Sequence, residues 1–312
     1  MSVFTQTGRL AVPKSTKVNY GLPYMGSKSK IIAQFAYLFP KADNFYDLFG
    51  GGFSVTHFMC QRHSRDYKTF HFNEIRPGVC DLIRRAMRGE YSQDRYKMPW
   101  VSREEFHAKK DTDAFIKLAW SFGNDGQSYI FGEHIEDQKR SLHQCVVFDE
   151  FDDCTRKITG LKIWPAGVSL TNRRLFIRAR SRAIQRRNVL QQQQLERLER
   201  LERLQQIESL ERRERLVFYS LDYRSVPILP GSVIYCDIPY LATKAYDHPF
   251  SHAEFFNWAD AQANPVFISE YEIKDKRFTL VKEFKHISTM GLNGVGDVFY
   301  ERVYANRAAG RA

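Results

Sequence analysis

From Tyr20 onward the apolar positions fall into short blocks whose period alternates between that of a strand and that of a helix. Residues 1–19 are polar, with Pro13 and scattered lysines, and read as a flexible arm. Ile31–Phe39 repeats at helical spacing and Pro40 ends it. Phe45–Leu48 predicts a buried strand running into Gly50, Gly51 and Gly52, after which Ser54 can cap a helix with Val55, Phe58 and Met59 inward. Tyr67–Phe72 predicts a second strand ending at Asn73 and Glu74. Pro77 then opens a helix with an inner stripe of Val79, Leu82, Ile83, Ala86 and Met87. Strand, glycine loop, helix, strand and acid, in that order, predict a βαβ unit of the nucleotide-binding type.

The pattern then changes. Tyr91–Pro165 has helical patches and many aromatics but no strand series, which predicts an inserted helical lobe over 91–165. A basic segment follows over 166–215: Arg173–Arg187 holds seven arginines, among them Arg173, Arg174 and Arg178, and no acid. Next come Gln191–Gln194 and a Leu-Glu-Arg repeat from Leu195. Leucines every third residue step about 300° around a helix, so they drift and make no straight coiled-coil seam. Strong helix formers and Glu-to-Arg pairs four apart, such as Glu196–Arg200, still predict a helix, read here as a solvated spacer. Strand signals return after Leu216: Val233–Asp237, then a helix over His252–Ala263 with Phe255, Phe256 and Ala259 inward, then Pro265–Ser269. Phe278–Met290 and Asp297–Tyr304 predict a closing antiparallel hairpin. Segments 20–90 and 216–312 are therefore expected to share one sheet, bracketing the lobe and the repeat.

Composition narrows the partner. Lysine and arginine exceed the acids, for a net charge of +11 in 312 residues, which favours a polyanion. Five cysteines without a C-x-x-C pair argue against a zinc site or disulfide framework and for a reducing, cytoplasmic compartment. No apolar run approaches the ~18 residues of a membrane span, and no signal-peptide core opens the chain.

The candidate chemistry sits at the strand ends. Asp237-Ile238-Pro239-Tyr240 follows an apolar strand and sets an acceptor carboxylate beside a rigid turn and an aromatic ring, a combination suited to a flat heterocycle bearing an exocyclic amine. Gly50, Gly51 and Gly52 let backbone approach a ligand closely. Glu74 can accept from two ribose hydroxyls, and Asp47 can meet an ammonium group. Gly21–Ser29 comes near a phosphate-binding G-x-x-x-x-G-K-[ST] loop, but the lysine is displaced by one and no strand clearly feeds it. No Pro-Cys occurs, so a nucleophilic cysteine for cytosine-ring methylation is missing, and His143 with Cys145 lacks further metal ligands.

These blocks, in this order, resemble the Dam-type N6-adenine DNA methyltransferases, especially versions common in bacteriophages and prophages. Tyr24-Met25-Gly26-Ser27-Lys28 looks like that family's N-terminal aromatic-x-Gly-x-Lys block, and Phe45–Gly52 like its cofactor loop. Asn73-Glu74 sits where an acid holds the cofactor ribose, and Asp237–Tyr240 looks like the catalytic Asp-Pro-Pro-Tyr with Ile238 for the first proline. Ser121–Tyr129 and Ser269-Glu270-Tyr271 are also similar to phage versions, and the likeness covers roughly 20–165 and 216–305. The resemblance implies a Rossmann-like α/β sheet with a terminal antiparallel hairpin and an inserted, mainly helical DNA-recognition lobe. It implies S-adenosylmethionine as cofactor, held by Tyr24, Lys28, Asp47, Phe49, Gly50, Gly52, Glu74 and Asp237. It implies catalysis by Asp237, Ile238, Pro239 and Tyr240 on an adenine flipped from double-stranded DNA, without a metal. Phosphate and base contacts are expected from Arg173, Arg174, Arg178, Asn124, Tyr129, Lys139 and Arg140, in a protein acting as a monomer. Two alternatives stay open: methylation of another amine, cytosine N4 or RNA adenine, and a DNA-binding descendant without turnover.

Overall fold

The computed structural model describes residues 20–22, 26–92, 96–122, 125–164, 167–170, 172–173, 176–177, 193–210, 213–240, 250–287 and 298–311. The chain divides into two compact units: Gly26–Ile83 with Leu210–Ala312, and Arg84–Ser209 with the start of the chain.

The first unit is built on a seven-stranded sheet of order β3-β2-β1-β4-β5-β7-β6. The strands are β1 (Asn44–Asp47), β2 (Thr69–Asn73), β3 (Leu216–Tyr219), β4 (Ser232–Asp237), β5 (Val266–Glu270), β6 (Thr279–Ile287) and β7 (Val298–Ala305). The first five pair in parallel, and β7 runs antiparallel between β5 and β6. This is the expected Rossmann-like α/β sheet with its closing hairpin, and both sequence halves contribute to it. Helix α1 (Ser54–Arg62) crosses from β1 to β2, and α8 (His252–Asp260) from β4 to β5. Strands β1, β4 and β5 are almost wholly buried, as parallel strands covered on both faces must be. Phe255 and Ala259 of α8 close one face over Tyr46, Ile234 and Ile268, with Phe256 half-buried beside them.

Two local expectations change. Ile31–Phe39 forms two 3-10 turns, Ile32–Gln34 and Ala36–Leu38, in place of one α-helix, and a further 3-10 turn, Lys28–Lys30, precedes them. Phe35 and Phe39 pack on Tyr235, Phe267 and Phe284, and fixing these rings to the sheet outweighs local helix preference. Ser54 is the first helical residue of α1 and caps nothing; Phe53 stands at the N-cap with φ +68° and makes no side-chain cap bond.

Helix α2 (Val79–Met87) carries the chain out of the sheet unit, and Cys80 is buried where Val79 was expected. The second unit is helical, as the absence of strand signals predicted: α3 (Arg103–Lys109), α4 (Ala114–Trp120), α5 (Glu136–His143), a π turn over Gln144–Phe148, α6 (Asp153–Thr159) and α7 (Gln193–Glu208). Asp113 and Asp152 cap α4 and α6 by accepting from backbone N–H groups in their first turns. Among the described residues no helix is long and apolar enough to cross a membrane.

Helix α7 contains the Leu-Glu-Arg repeat, and the solvated-spacer reading fails there. Leu201, Leu204 and Ile207 are fully buried, and Arg200 is 3% exposed. Successive leucines three apart cover roughly 120° of arc over two steps, too broad for a coiled-coil seam but wide enough to dock on a lobe. The Arg200 guanidinium donates to the carbonyls of Leu118, Ala119 and Ser121 at 2.8, 3.1 and 2.9 Å, satisfying the C-terminal end of α4. Arg200→Ala strips those buried carbonyls of a charged donor, so stability should fall by about 2–4 kcal/mol. Amide exchange across α4 should accelerate with it. A loss below about 0.5 kcal/mol, as for an ordinary surface substitution, would reject this account of the repeat.

Candidate active site

In an open parallel sheet the chain reverses its direction of travel at a switch point, and ligands bind outside the carboxyl ends of the strands there. In this sheet β1 has β2 on one side and β4 on the other, so the switch lies between β1 and β4. Asp47 ends β1 and Asp237 ends β4; Asp47 is in register with Tyr235, so Asp237 lies two residues farther out. Glu74 follows β2 and Glu270 ends β5. Acids scattered through the sequence thus gather along one edge of the sheet.

Asp47 is 1% exposed, and its Oδ2 accepts from the Thr56 backbone N–H at 3.3 Å and its hydroxyl at 2.7 Å. It therefore caps α1 from across the glycine loop, the task expected of Ser54. Its Oδ1 is buried with no hydrogen-bond partner. Burial pushes the carboxyl up to about 7; Thr56 opposes the shift, and Asp237 and Glu74 add to it. An orphaned carboxylate oxygen at a switch point fits an ammonium donor, the group carried by the methionine end of S-adenosylmethionine.

The glycine loop has several duties. A Cβ on Gly50 would fall 2.1 Å from the Phe72 ring, so packing against β2 dictates this glycine. Gly51 has φ +49° and donates its N–H to Glu74 Oε2 at 2.8 Å; Gly52 is buried. Phe49 is half-buried, its ring 5.4 Å from Tyr223 and 5.7 Å from both Phe250 and Phe255, so it serves the core. Glu74 is 4% exposed and also accepts from the Arg76 backbone N–H at 3.0 Å and side-chain Nε at 2.8 Å. Burial raises its carboxyl while the Arg76 and Gly51 N–H groups pull it back. Donors already rest on both oxygens, the arrangement that two ribose hydroxyls would take over. Ile75 and Leu221, exposed apolar side chains, follow β2 and β3 at the same edge.

Asp237 forms the centre. Lys28 Nζ lies 2.9 Å from Asp237 Oδ1 and 2.9 Å from Glu301 Oε1, and donates to the Gly26 carbonyl at 3.2 Å. Tyr240 donates its hydroxyl to the same Glu301 oxygen at 2.7 Å. Burial pushes Asp237 up to about 6; Lys28 opposes this and Glu301 reinforces it. Lys28, despite its own burial, is held well above the usual lysine range by the two carboxylates. The Asp237 side chain keeps 21% of its surface accessible, so it is reachable from outside. Ile238 is 1% exposed in the core with Tyr46 and Leu48, so its side chain contributes packing where a proline would contribute stiffness. His252 at the start of α8 donates through Nε2 to the Pro239 carbonyl at 2.8 Å, pinning the turn from outside.

Other expected contacts separate from the centre. In the helical unit Tyr129 is 6% exposed, its hydroxyl donating to the Val101 carbonyl at 2.7 Å and its ring facing Phe106 and Trp120. Lys139 is 3% exposed, its ammonium 5.7 Å from the Phe131 ring centroid. Arg173 pairs with Asp149 at 3.0 Å and donates to the Val147 carbonyl. These three are corrections: they build the lobe's interior and internal ion pairs, since desolvated aromatic and cationic groups are held by partners within the fold. Arg140 stays exposed, its guanidinium 5.8 Å from the Trp100 ring centroid. Tyr24, Asn124, Arg174 and Arg178 lie outside the described residues, as do the 1–19 arm and the turn of the hairpin. His143 bonds through Nε2 to the Met98 carbonyl at 2.9 Å, a structural role.

Sequence reasoning missed Glu301, His252, Arg76 and the capping role of Thr56. Arg76 and Thr56 sit close to their partners in sequence and were findable; Glu301 is 61 residues from Tyr240, and only the hairpin brings it in. The sheet unit also has a cleft of about 640 Å³ at the opposite, amino edge, near Asp43, Arg215 and Asn264. Three of its cations pair within the fold: Lys41 with Asp66, Lys68 with Asp43, and Arg215 with three backbone carbonyls. The acids of the switch point stand at the other, carboxyl edge of the sheet, away from this cleft.

No protein-family model matches the chain, and no curated protein does. Two solved structures of the rRNA methyltransferase AviRa from Streptomyces viridochromogenes, at 2.4 and 1.5 Å, are similar at 12% identity and a TM-score of 0.34. Each match covers 89% of this chain and 83% of that one.

Asp47 yields a pH test. Its carboxyl takes up a proton as pH falls through about 7, and only the anion attracts an ammonium. Binding of S-adenosylhomocysteine, followed by calorimetry, should weaken below that point by up to about tenfold per pH unit. Asp47→Asn should flatten the dependence; an unchanged slope in that variant would remove Asp47 from the cofactor site.

Proposed function

We propose that this protein transfers a methyl group from S-adenosylmethionine to the N6 amine of an adenine turned out of double-stranded DNA. The observation that carries the reading is Asp237: a carboxylate buried enough to be raised to about 6, open to the outside, and next to Tyr240 at the switch point of the sheet. The motif order shared with Dam-type enzymes supports the adenine amine as target, and the net charge of +11 supports a polyanionic substrate.

An adenine amine is a weak nucleophile because its lone pair is delocalised into the ring. Asp237 and the Ile238 carbonyl accept hydrogen bonds from its two protons, drawing the nitrogen toward a tetrahedral shape and restoring its lone pair. S-adenosylmethionine, when bound, supplies an electrophilic methyl carbon. As the amine nitrogen bonds the methyl carbon, the methyl–sulfur bond would break, its electron pair leaving with the neutral thioether of S-adenosylhomocysteine, and Asp237, with its raised affinity for protons, takes the proton that the amine loses. Orientation and fixed charge do most of the work. Tyr240 stacks on the extruded base, an interaction worth about 1–3 kcal/mol. Buried Asp47, with its orphan oxygen, holds the amino-acid end of the cofactor, and Glu74 its ribose. Exposed Ile75 and Leu221 give its purine an apolar seat. Glu301 absorbs part of the Lys28 charge, so the amine competes with half a salt bridge at Asp237.

The test is nucleoside analysis of plasmid DNA and of RNA incubated with the protein and labelled S-adenosylmethionine. N6-methyladenine should accumulate in DNA, and Asp237→Asn, which preserves shape, should lower the rate by about 10²-fold or more. Label in RNA or at cytosine N4 would reassign the target, and full activity in the Asp237 variant would overturn the mechanism. Tyr240→Ala should raise the KM for DNA and lower kcat while leaving cofactor affinity within about twofold, a pattern readable from steady-state kinetics.

A further inference from the structure

We propose that Glu301, on the antiparallel strand β7, is a positioning residue of this site: by holding the Lys28 ammonium and the Tyr240 hydroxyl on one oxygen, it keeps Asp237 available as an acceptor and orients the Tyr240 ring. The inference rests on the methyl-transfer reading and deepens it.

The geometry is a shared cation. One lysine bridges two carboxylates at 2.9 Å each, and the three side chains are 5%, 21% and 12% exposed for Lys28, Asp237 and Glu301. A lone Lys28–Asp237 pair in so dry a place would be a closed ion pair, with the carboxylate neutralised and its acceptor capacity committed. The second carboxylate changes that balance. The cluster carries one net negative charge, the ammonium divides its hydrogen bonds, and Asp237 remains the more basic for it. Its elevation to about 6 despite a lysine at contact distance agrees with this.

The groups facing Asp237 come from several elements. Lys28 belongs to the first 3-10 turn, Asp47 ends β1, and Tyr235 and Cys236 precede it on β4. Tyr271 follows β5, and Glu301 projects from β7. Tyr240 closes the loop, with His252 behind it at the Pro239 carbonyl and 3.8 Å from Glu270. Against the upward push of burial, the Lys28 cation lowers the Asp237 carboxyl, the Glu301 anion raises it, and the Tyr240 hydroxyl lowers it by hydrogen bonding.

Glu301 also restrains the ring. Tyr240 lies 4.5 Å from Tyr271, their planes at 70°, with the Lys28 ammonium 5.0 Å from the Tyr240 centroid. Its hydroxyl is anchored at 2.7 Å on Glu301, so the ring is held by Tyr271, by its own far end, and by the cation over its face. A stacking platform fixed in this way loses little freedom when a base arrives.

Glu301→Gln separates charge from shape, because the amide oxygen still accepts from Tyr240 and Lys28. The experiment follows the Asp237 carboxyl by carbon-13 NMR across pH in the full chain, its signal identified by its loss in Asp237→Asn, alongside the pH dependence of DNA methylation at saturating cofactor. In Glu301→Gln the Asp237 midpoint should fall by about one pH unit, and the acid limb of the rate should move down with it. Lys28→Gln should move the midpoint the opposite way, which keeps the test decisive if either variant folds poorly. Glu301→Ala, which also releases the hydroxyl, should cost roughly a further tenfold in kcat/KM for DNA. A purely structural Glu301 would lower stability and leave both midpoints where the wild type has them, and that result would overturn the proposal. Should the wild-type protein methylate no nucleic acid, the methyl-transfer reading fails, while the NMR midpoints still decide whether Glu301 sets the charge of Asp237.

Discussion

The parallel pairing of β1 with β4 is the constraint on which the rest of the site depends. These strands are separated by most of the chain, yet Asn44 through Asp47 run alongside Ser232 through Tyr235. That register sets the two acids at adjacent strand ends, one slightly beyond the other. Neither strand has another way to satisfy its backbone, because both are buried, and a single-residue slip would exchange the side chains packed on the two covered faces. The location of the carboxylates is thus fixed by backbone hydrogen bonding and core packing before any ligand is considered.

Burial then does chemical work on those carboxylates. Desolvation alone would drive them neutral, and the fold counters it with a different partner at each place: Thr56 at Asp47, Gly51 and Arg76 at Glu74, Lys28 at Asp237. The result is a graded row of acids. Glu74 is richly supplied with donors, Asp47 keeps one empty oxygen, and Asp237 shares its lysine with Glu301. This grading arises from neighbours that the row's own residues do not encode.

The helical unit illustrates the opposite economy, in which charged residues serve the fold. The sequence around Arg200 reads as a solvated spacer and that around Arg173 as a phosphate contact, and the family resemblance adds Lys139 to the expected DNA contacts. Each is instead consumed internally, by helix-terminal carbonyls, an aromatic ring or an aspartate. A basic stretch reports net charge well and individual contacts poorly, because a guanidinium satisfies a buried carbonyl as readily as a phosphate.

Local patterning determined six of the seven strands, all but β3, together with the crossover helices, the helical character of the middle segment and the closing hairpin, since apolar periodicity and turn residues act over a few positions. It also located Asp47, Glu74 and Asp237, because acids at strand ends are visible in a linear string. Only the tertiary structure decided the rest. It broke Ile31–Phe39 into 3-10 turns to fit aromatic rings on the sheet, and buried a leucine repeat whose wide arc allowed either fate. It also brought Glu301 to Lys28 and Tyr240 across a hairpin. The physical reason is common to all three: packing and desolvation are sums over neighbours in space, and no window along the chain contains those neighbours.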